Sequence, residues 1–577
     1  MMKRVFLFAV LGALVMTNQS LPAGNRKGGT LKPTIPDEHS AVAEKSFTPL
    51  PQPLPPQALT VGTYTTLSGY YDYQANGTPQ HIRVNPTNGN IHVTYMLADD
   101  SASVSPSRRT AYAYSTNGGS TWNNFNNVRV PGRRSGFPSI DLLQAPNAGC
   151  PVLGNHSTIT GTQSAAFVDS PEGTGAFSEL NAPPLIDAGA TDEPIWPFVA
   201  GAADGGLIMH SSRSTAGTNH LNRTTDFSSW LFPTPWFTFS GPNGSGGRNS
   251  TQATTSGRVG TIVNATTNGL FFYESTNNGA TWSAPVTVHP ALTVDSFAVW
   301  VSADMTYDGN TPLVALNTST TDGAGGYFYA DTKIDFWSQA TGLVTAVPHD
   351  TALFVDEMNG FPQSNHLTLG GPTICKVGSQ IVIVFQAFQR DTAISGHRFS
   401  DVWYVRSVNN GATWSTPVNI TNTPNLDERY PSVSKWNQAG FVNMTWQEDV
   451  YPGTWVIVTP DAGALPSRAR QVYYKLQLPT TDVTESGTVA SGFVLEQNYP
   501  NPFNPKTRIS YLVPKGMNVQ LSVYNVLGQE VARVVDDYRE TGNYEVDFNA
   551  SHLASGVYYY TLRAGQFSET KKMVLMK

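Results

Sequence analysis

One pattern, Ser-x-Asn-x-Gly-x-x-Trp, is written three times in the 577-residue chain. The copies are Ser115, Asn117, Gly119, Trp122; then Ser275, Asn277, Gly279, Trp282; then Ser407, Asn409, Gly411, Trp414. Each residue type has a physical task. The Asn side chain can accept hydrogen bonds from backbone N–H groups of a turn. Gly adopts a positive φ without steric cost. Trp, at the start of the next strand, buries a large surface against a sheet. The interval from Trp122 to Trp282 accommodates three units of roughly 53 residues. Weaker echoes lie between and after: "FVDSPEGTGAF" ending at Phe177, "RTTDFSSW" ending at Trp230 with Asp226 in the Asn place, and "TKIDFWS" around Trp337.

The intervening sequence has almost no helical periodicity. Short apolar or alternating runs such as "NIHVTYML", "QIVIVFQAF" and "RQVYYKLQL" recur, bounded by Gly, Asn, Asp and Ser. The chain therefore reads as all-β, and a period near 53 in such a chain predicts propeller blades of four strands each. The strands preceding the turns number seven: "TAYAYS", "QSAAFVD", "TNHLNRTT", "LFFYEST", "GYFYADT", "VWYVRSV" and "QVYYKLQ". The last has no turn after it. "LTVGTYTTLSGYY" (59–71) has no other home and is expected to supply the missing strand and close the ring, which removes exposed sheet edges. A six-bladed ring is the alternative count.

The three clear turns resemble the Asp-box of bacterial neuraminidase repeats, found in the sialidase superfamily of propellers. Asn replaces Asp in every clear copy, which keeps the turn-capping ability. In that family the box lies on the hairpin between the outer two strands, away from the active-site mouth. The resemblance thus implies that these twelve residues are structural.

A sialidase, as the resemblance implies, needs three arginines gripping a carboxylate, a Tyr–Glu pair and an Asp acid/base; its nucleophile is a tyrosine. "HIRVNP" offers Arg83 for the family's Arg-Ile-Pro motif, but Asn85 stands before Pro86 and breaks it. Other candidates come from the starts of the innermost strands, which should ring one mouth. They are Arg134 beside Arg133, Glu193 and Trp196, Arg248, His366 after Asn365, and Glu428, Arg429 and Tyr430. Together these nine ligand-binding candidates would form a polar, partly aromatic rim suited to carbohydrate. Loop ends of any propeller are also polar because they are wet. Asp99 and Asp100 read as solvated surface acids. No complete set of acid, base and nucleophile can be assembled, so catalytic residues are left unassigned.

Composition narrows the classes further. Charged residues make up only 13% and the net charge is −7, with no basic block to track phosphates, so no nucleic-acid partner is expected. Cys150 and Cys375 are far apart and lack ligand spacing; they read as buried small hydrophobes or a disulfide. No metal and no cofactor is expected. "MMKR" followed by "VFLFAVLGALVM" reads as a signal peptide over 1–24, and no transmembrane segment follows. Residues 25–57 are Pro-rich and read as a linker, 58–478 as the propeller, 479–492 as a second linker, and 493–577 as a separate domain.

That last segment alternates like short strands, with a rigid entry "NYPNPFNP" and turns at Gly528 and Gly556, and predicts an Ig-like β-sandwich. Its Asn501–Pro505 core, "YNVLGQEV", "SGVYYY" and terminal Lys571 and Lys572 resemble the type A C-terminal sorting domain of the type IX secretion system. The resemblance implies export, a surface or extracellular location, and the secretion machinery as partner. Cleavage of the domain and oligomeric state stay open. The reading that follows is a secreted or surface-displayed propeller that binds glycan or another extracellular polymer. A sialidase-like exo-glycoside hydrolase and a non-catalytic structural surface protein are the alternatives.

Overall fold

The computed structural model describes residues 30–31, 61–71, 74, 78–101, 103–158, 162–181, 194–212, 219–231, 250–264, 269–290, 297–321, 327–350, 353–355, 367–393, 397–453, 467–479, 494–495, 497–498, 500–513, 517–539, 542–564 and 567–577. The chain forms two compact units, residues 1–479 and 480–577. The signal-peptide reading lies outside the described residues, and of the Pro-rich stretch only Thr30–Leu31 is described, as a short strand against Tyr327 and Phe328.

Among the described residues the first unit is all-β apart from one helical turn, Val104–Ser107. Its described residues form seven antiparallel sheets. Their first strands are Ile82–Val84, Ser135–Leu142, Ile195–Gly201, Ser250–Ala253, Phe297–Asp308, Leu369–Val377 and Asp427–Val433. Each first strand touches the next, and the seventh touches the first, so the arrangement is cyclic and propeller-like. The seven segments expected to precede the repeated turn each supply the third strand of a different sheet.

Ring closure follows the sequence expectation. Thr63–Gly69 pairs antiparallel with Ala469–Gln477 and completes the seventh sheet, with Thr63 opposite Tyr473 and Gly69 opposite Ala469. Two further bonds sew the seventh sheet to the first: His81 N–H donates to Ser432 Oγ (2.9 Å) and Val84 N–H to Ser434 Oγ (3.0 Å). Between sheets lie separate apolar layers, for example Ile374, Ile383 and Phe385 against Phe336 and Ile334.

The three clear turns join third to fourth strands and are built alike. In the last, Ser407 Oγ accepts from Gly411 N–H (2.9 Å) and donates to Asn409 Oδ1 (2.9 Å). Asn409 Oδ1 accepts from Thr413 N–H (3.0 Å), and Trp414 Nε1 donates to Gly411 O (3.2 Å). The Ser115 and Ser275 copies repeat these bonds within about 0.1 Å. The box glycine is pressed against the preceding sheet. A Cβ on Gly411 would lie 2.0 Å from Phe336, one on Gly279 2.4 Å from Ile208, and one on Gly119 2.1 Å from Tyr473 of the closing sheet. All three also sit at φ of +82 to +86°, which no other residue adopts cheaply.

The weak echoes diverge. Asp226 caps a related turn, accepting from Ser228 and Ser229 N–H, while Trp230 bonds Asn181 O (2.6 Å). Asp169 caps a different loop through Gly175 and Ala176. Trp337 lies inside a strand, Tyr327–Ser338, and precedes its turn rather than following it, so that echo is not a copy. Cys150 and Cys375 are buried free thiols, so the disulfide alternative is set aside; burial pushes Cys375 up to about 12.

The described residues of the second unit form two sheets. One pairs Val494–Leu495, Lys506–Val513 and Gly542–Asn549; the other orders Glu530–Arg539, Met517–Tyr524, Gly556–Ala564 and Phe567–Leu575. Ile509, Val519, Leu521, Tyr560, Leu562 and Met573 fill the space between them. The Pro-rich entry is anchored: Asn498 N–H donates to Tyr560 Oη (2.7 Å), Phe503 is buried, and its N–H donates to Val574 O (2.9 Å).

Candidate functional site

The two faces of the ring differ in their connections. On the box face, first and second strands are joined by short turns, such as the one between Asp308 and Thr311. On the opposite face the links are longer: His289 to Phe297, Val347 to Leu369, and Asp449 to Ala469. Long connections on a rigid scaffold are where binding groups concentrate.

At this second face four first strands share an unusual device, a residue at positive φ followed by proline. Phe137–Pro138, Trp196–Pro197, Gly371–Pro372 and Tyr430–Pro431 carry φ of +49°, +55°, +57° and +57°. In each case the pairing register breaks there, between Gly136 and Ser139, Ile195 and Phe198, Gly370 and Thr373, and Arg429 and Ser432. These are β-bulges, which explains how proline sits inside a strand. In three of the four the residue after the proline links neighbouring sheets. Ser139 Oγ donates to Pro197 O (2.8 Å), Thr373 Oγ1 accepts from Val433 N–H (3.3 Å), and Ser432 serves the seam described above. Glycine bears the left-handed conformation freely; Phe137, Trp196 and Tyr430 bear it under strain.

The three aromatics gather in one buried cluster with Tyr71, Met96 and Ile195. The Phe137 ring meets Trp196 edge-on at 6.3 Å and His156 at 4.9 Å. The Arg108 guanidinium lies 5.4 Å from both the Tyr71 and Phe137 rings and donates to His156 Nε2 (2.8 Å). Tyr430 N–H is held by Gln386 Oε1 (2.8 Å), and Arg429 stands over the Tyr430 ring at 5.7 Å. Trp196 is 2% exposed, and its indole N–H has no acceptor among the described residues.

The nine expected rim residues separate into three groups. Trp196 and Tyr430 come together as above, with Arg429 beside them. Glu193, Arg248 and His366 lie outside the described residues. The others are engaged elsewhere. Arg83 is buried and paired through Nε to Asp141 Oδ1 (2.8 Å), so it braces the first sheet against the second instead of lining a mouth. Asn85, which interrupts the Arg-Ile-Pro pattern, donates to Glu172 Oε1 (3.0 Å) in a network with Asn88, Asn90 and His92. Those bonds hold Glu172 down at about 2 against the opposing effect of burial. Arg134 donates to Ser105 O (3.1 Å), Arg133 pairs with Glu179, and Asp99 pairs with Arg129 (2.6 Å) at the surface.

Glu428 and Arg429 belong to a buried charged layer between the sixth and seventh sheets. Arg429 Nε faces Asp427 Oδ2 at 2.7 Å and its Nη2 donates to Gly453 O (2.7 Å). Glu448 accepts from Tyr64 Oη (2.8 Å) and pairs with Arg470 (2.7 Å). Asp401 accepts from Asn419, Gln389 and Thr421. Burial pushes Asp427 up to about 7 despite Arg429, and it raises Glu428, Glu448, Asp449 and Asp401 as well. Among the described residues two Tyr–Glu–Arg groupings occur, Tyr64–Glu448–Arg470 and Tyr307–Glu274–Arg258. In both, burial and the neighbouring carboxylate raise the phenol, opposite to what a tyrosine nucleophile requires. The described arginine candidates each bind a different protein partner and form no common carboxylate clamp. No group of three or more metal-ligating side chains occurs among the described residues, and no helix there is long and apolar enough to cross a membrane.

Sequence reading missed Phe137, Arg108, His156 and Tyr71. A legible signal existed, since an aromatic or Gly followed by Pro recurs in "SGFPSI", "EPIWPFV", "LGGPTI" and "ERYPSV".

Comparison with known proteins gives one family and several distant folds. No curated protein matches. A protein of unknown function from Dyadobacter fermentans is 15% identical, with 71% of this chain and 97% of that one covered, at a TM-score of 0.35. PorZ, a surface component of the type IX secretion system of Porphyromonas gingivalis, is 12% identical at a TM-score of 0.32, over 88% of this chain and 60% of PorZ. The polysaccharide lyase Uly1 is 13% identical at a TM-score of 0.41, over 74% and 96%. The specific match lies in the second unit: residues 497–576 are a secretion system C-terminal sorting domain, which marks the chain for type IX export to the exterior or the outer-membrane surface.

Proposed function

We propose that the first unit is a seven-bladed β-propeller of the Asp-box type and the second an Ig-like sandwich. In this reading the exported propeller recognises a glycan or another extracellular polymer at the face opposite the boxes. The observation that carries it is the convergence of Phe137, Trp196 and Tyr430, three bulky aromatics held at positive φ on one face. Backbone strain of this kind, about 1–3 kcal/mol per residue, persists where surrounding structure over-determines it and clusters at ligand sites. A buried indole N–H seeks an acceptor, which a ligand hydroxyl can supply. The boxes, in the same reading, stabilise the ring and take no part in recognition.

Glycan-array binding of the full chain tests this. The expected result is saturable binding without turnover, lost in Trp196→Ala and weakened in Trp196→Phe, which keeps an aromatic ring, though a smaller one, and removes the N–H. Binding that survives Trp196→Ala would refute the site. Release of sugar from a fluorogenic sialoside, abolished by Tyr430→Phe, would instead favour the hydrolase reading. Neither binding nor turnover would leave the structural-surface reading.

A further inference from the structure

The second unit contains a feature that its fold does not use. The hairpin between Met517–Tyr524 and Glu530–Arg539 turns through Asn525, Val526, Leu527, Gly528 and Gln529. Its backbone is locked. Asn525 Oδ1 accepts from Leu527 N–H (3.0 Å) and Gln529 N–H (3.0 Å), and Asn525 N–H donates to Gln529 O (3.0 Å). Gly528 N–H donates to Asn525 O (3.0 Å), Asn525 Nδ2 donates to Gln529 Oε1 (2.9 Å), and Gly528 sits at φ +78°. This rigid turn holds Val526 and Leu527 out in water at 67% and 79% exposure. Neither side chain joins the core of the unit, so nothing in its folding accounts for an apolar pair there.

The patch continues onto the adjoining sheet. Glu530, Tyr524, Tyr559 and Lys572 form one cross-strand row beside the turn, and the next row pairs Val557 with Val574. Tyr559 and Val557 are themselves exposed. Lys572 is exposed and makes no ion pair among the described residues, whereas Lys571 is paired with Glu569. A preorganised apolar tip flanked by an unpaired ammonium has the anatomy of a docking hot spot, because ordering costs have been met before the partner arrives.

We infer that this turn is the docking tip of the sorting domain, and that Val526 and Leu527 seat in an apolar cleft, bordered by carboxylates near Lys572, on the export machinery. The inference rests on the sorting-domain assignment of residues 497–576, whose span includes every residue of the patch. The unpaired lysine is what assigns acidic groups to the border of the partner's cleft.

The test uses the full chain in a bacterium with a type IX system, measuring the protein delivered to the surface and medium against that held in the periplasm. Three variants are compared: removal of residues 480–577, Val526→Ser with Leu527→Ser, and Lys572→Glu. The expected result is no delivery for the truncation, roughly tenfold less for the double serine variant, and a smaller loss for the charge reversal. Thermal unfolding of the purified full-length variants should match the parent, since largely exposed side chains contribute little to folding. Wild-type delivery of the truncation would overturn the sorting role itself. Failure of the truncation with normal delivery of both substituted chains would overturn the docking tip and leave the sorting role standing. A double variant that melts early would shift the decision to Lys572→Glu, with normal delivery counting against the tip. A concentration-dependent dimer abolished by the serine variant, with delivery unchanged, would assign the patch to a second copy of the chain and overturn the inference.

Discussion

Two kinds of turn in this molecule use the same local chemistry and send their apolar side chains in opposite directions. In the boxes, Asn409 Oδ1 caps backbone N–H groups, a glycine takes positive φ, and Trp414 and Gly411 are pressed onto Phe336 of the adjacent sheet. In the sorting domain, Asn525 Oδ1 does the same capping and Gly528 the same bending, yet Val526 and Leu527 face water. A turn of this type is therefore a rigid bracket. What it presents, and to what, decides whether it stabilises a ring or offers a contact.

That contrast can be broken first at the glycines. Gly411→Ala combines a 2.0 Å clash with Phe336 and an unfavourable φ, and should cost about 3 kcal/mol, read as a lowered melting temperature of the ring. Gly528→Ala has the same φ problem but nothing within 4 Å of the new methyl, and should cost about 1 kcal/mol or less. Equal effects at the two sites would mean that φ alone governs and that the box does not lock sheets together.

The second effect in size concerns the charged layer between the sixth and seventh sheets. Its carboxyls bind protons more tightly folded than unfolded, so the stability they contribute is complete below the unfolded carboxyl range and declines as pH rises above it, for Asp427 through about 7. Glu428→Gln should raise the stability of the first unit at pH 8, where the unfolded carboxyl is ionised, and change little at pH 4. Melting curves at the two pH values check this; an unfolding transition insensitive to pH between them would refute it. The sorting domain has no such layer among its described residues. Its Arg508 pairs with Glu545 and Asp547 at the surface, where ion pairs count for little, and its own transition should be nearly flat over the same range.

The smallest effect sharpens the comparison at the capping atom. Asn409→Asp keeps the oxygen that accepts from Thr413 N–H and loses only the donor to Thr413 Oγ1 (2.8 Å), so the change should stay within about 0.5 kcal/mol. Asn409→Leu removes the acceptor and should cost about 1 kcal/mol. Parity between the two would show that the cap is idle.

How much was legible in the sequence follows from how far each determinant reaches. The boxes could be read because Ser, Asn, Gly and Trp act on one another within eight residues. The closing strand could be read because Thr63–Gly69 had the alternation of a strand and no sheet of its own. The sorting domain was legible through a dense local motif whose Asn498 and Phe503 anchor the entry. Arg83 reads as a rim residue because its partner, Asp141, belongs to the next sheet and cannot be inferred from a pattern. Glu428 and Arg429 read as a wet rim because their polarity is visible in sequence and their burial, imposed by two packed sheets, is not. Trp337 reads as an echo in sequence because the residue types match while their order around the turn does not. The strained aromatic rim escaped for a similar reason. Positive φ at Trp196 or Tyr430 is enforced by bulges and neighbouring strands, and nothing in the residue itself announces it.

The strand Thr63–Gly69 is made early and finds its place only beside Ala469–Gln477, which is made late. A chain made N-terminus first thus holds an unclasped ring until its seventh sheet has been synthesised, and closing it brings together strands some four hundred residues apart, so the ring shuts only near the end of synthesis.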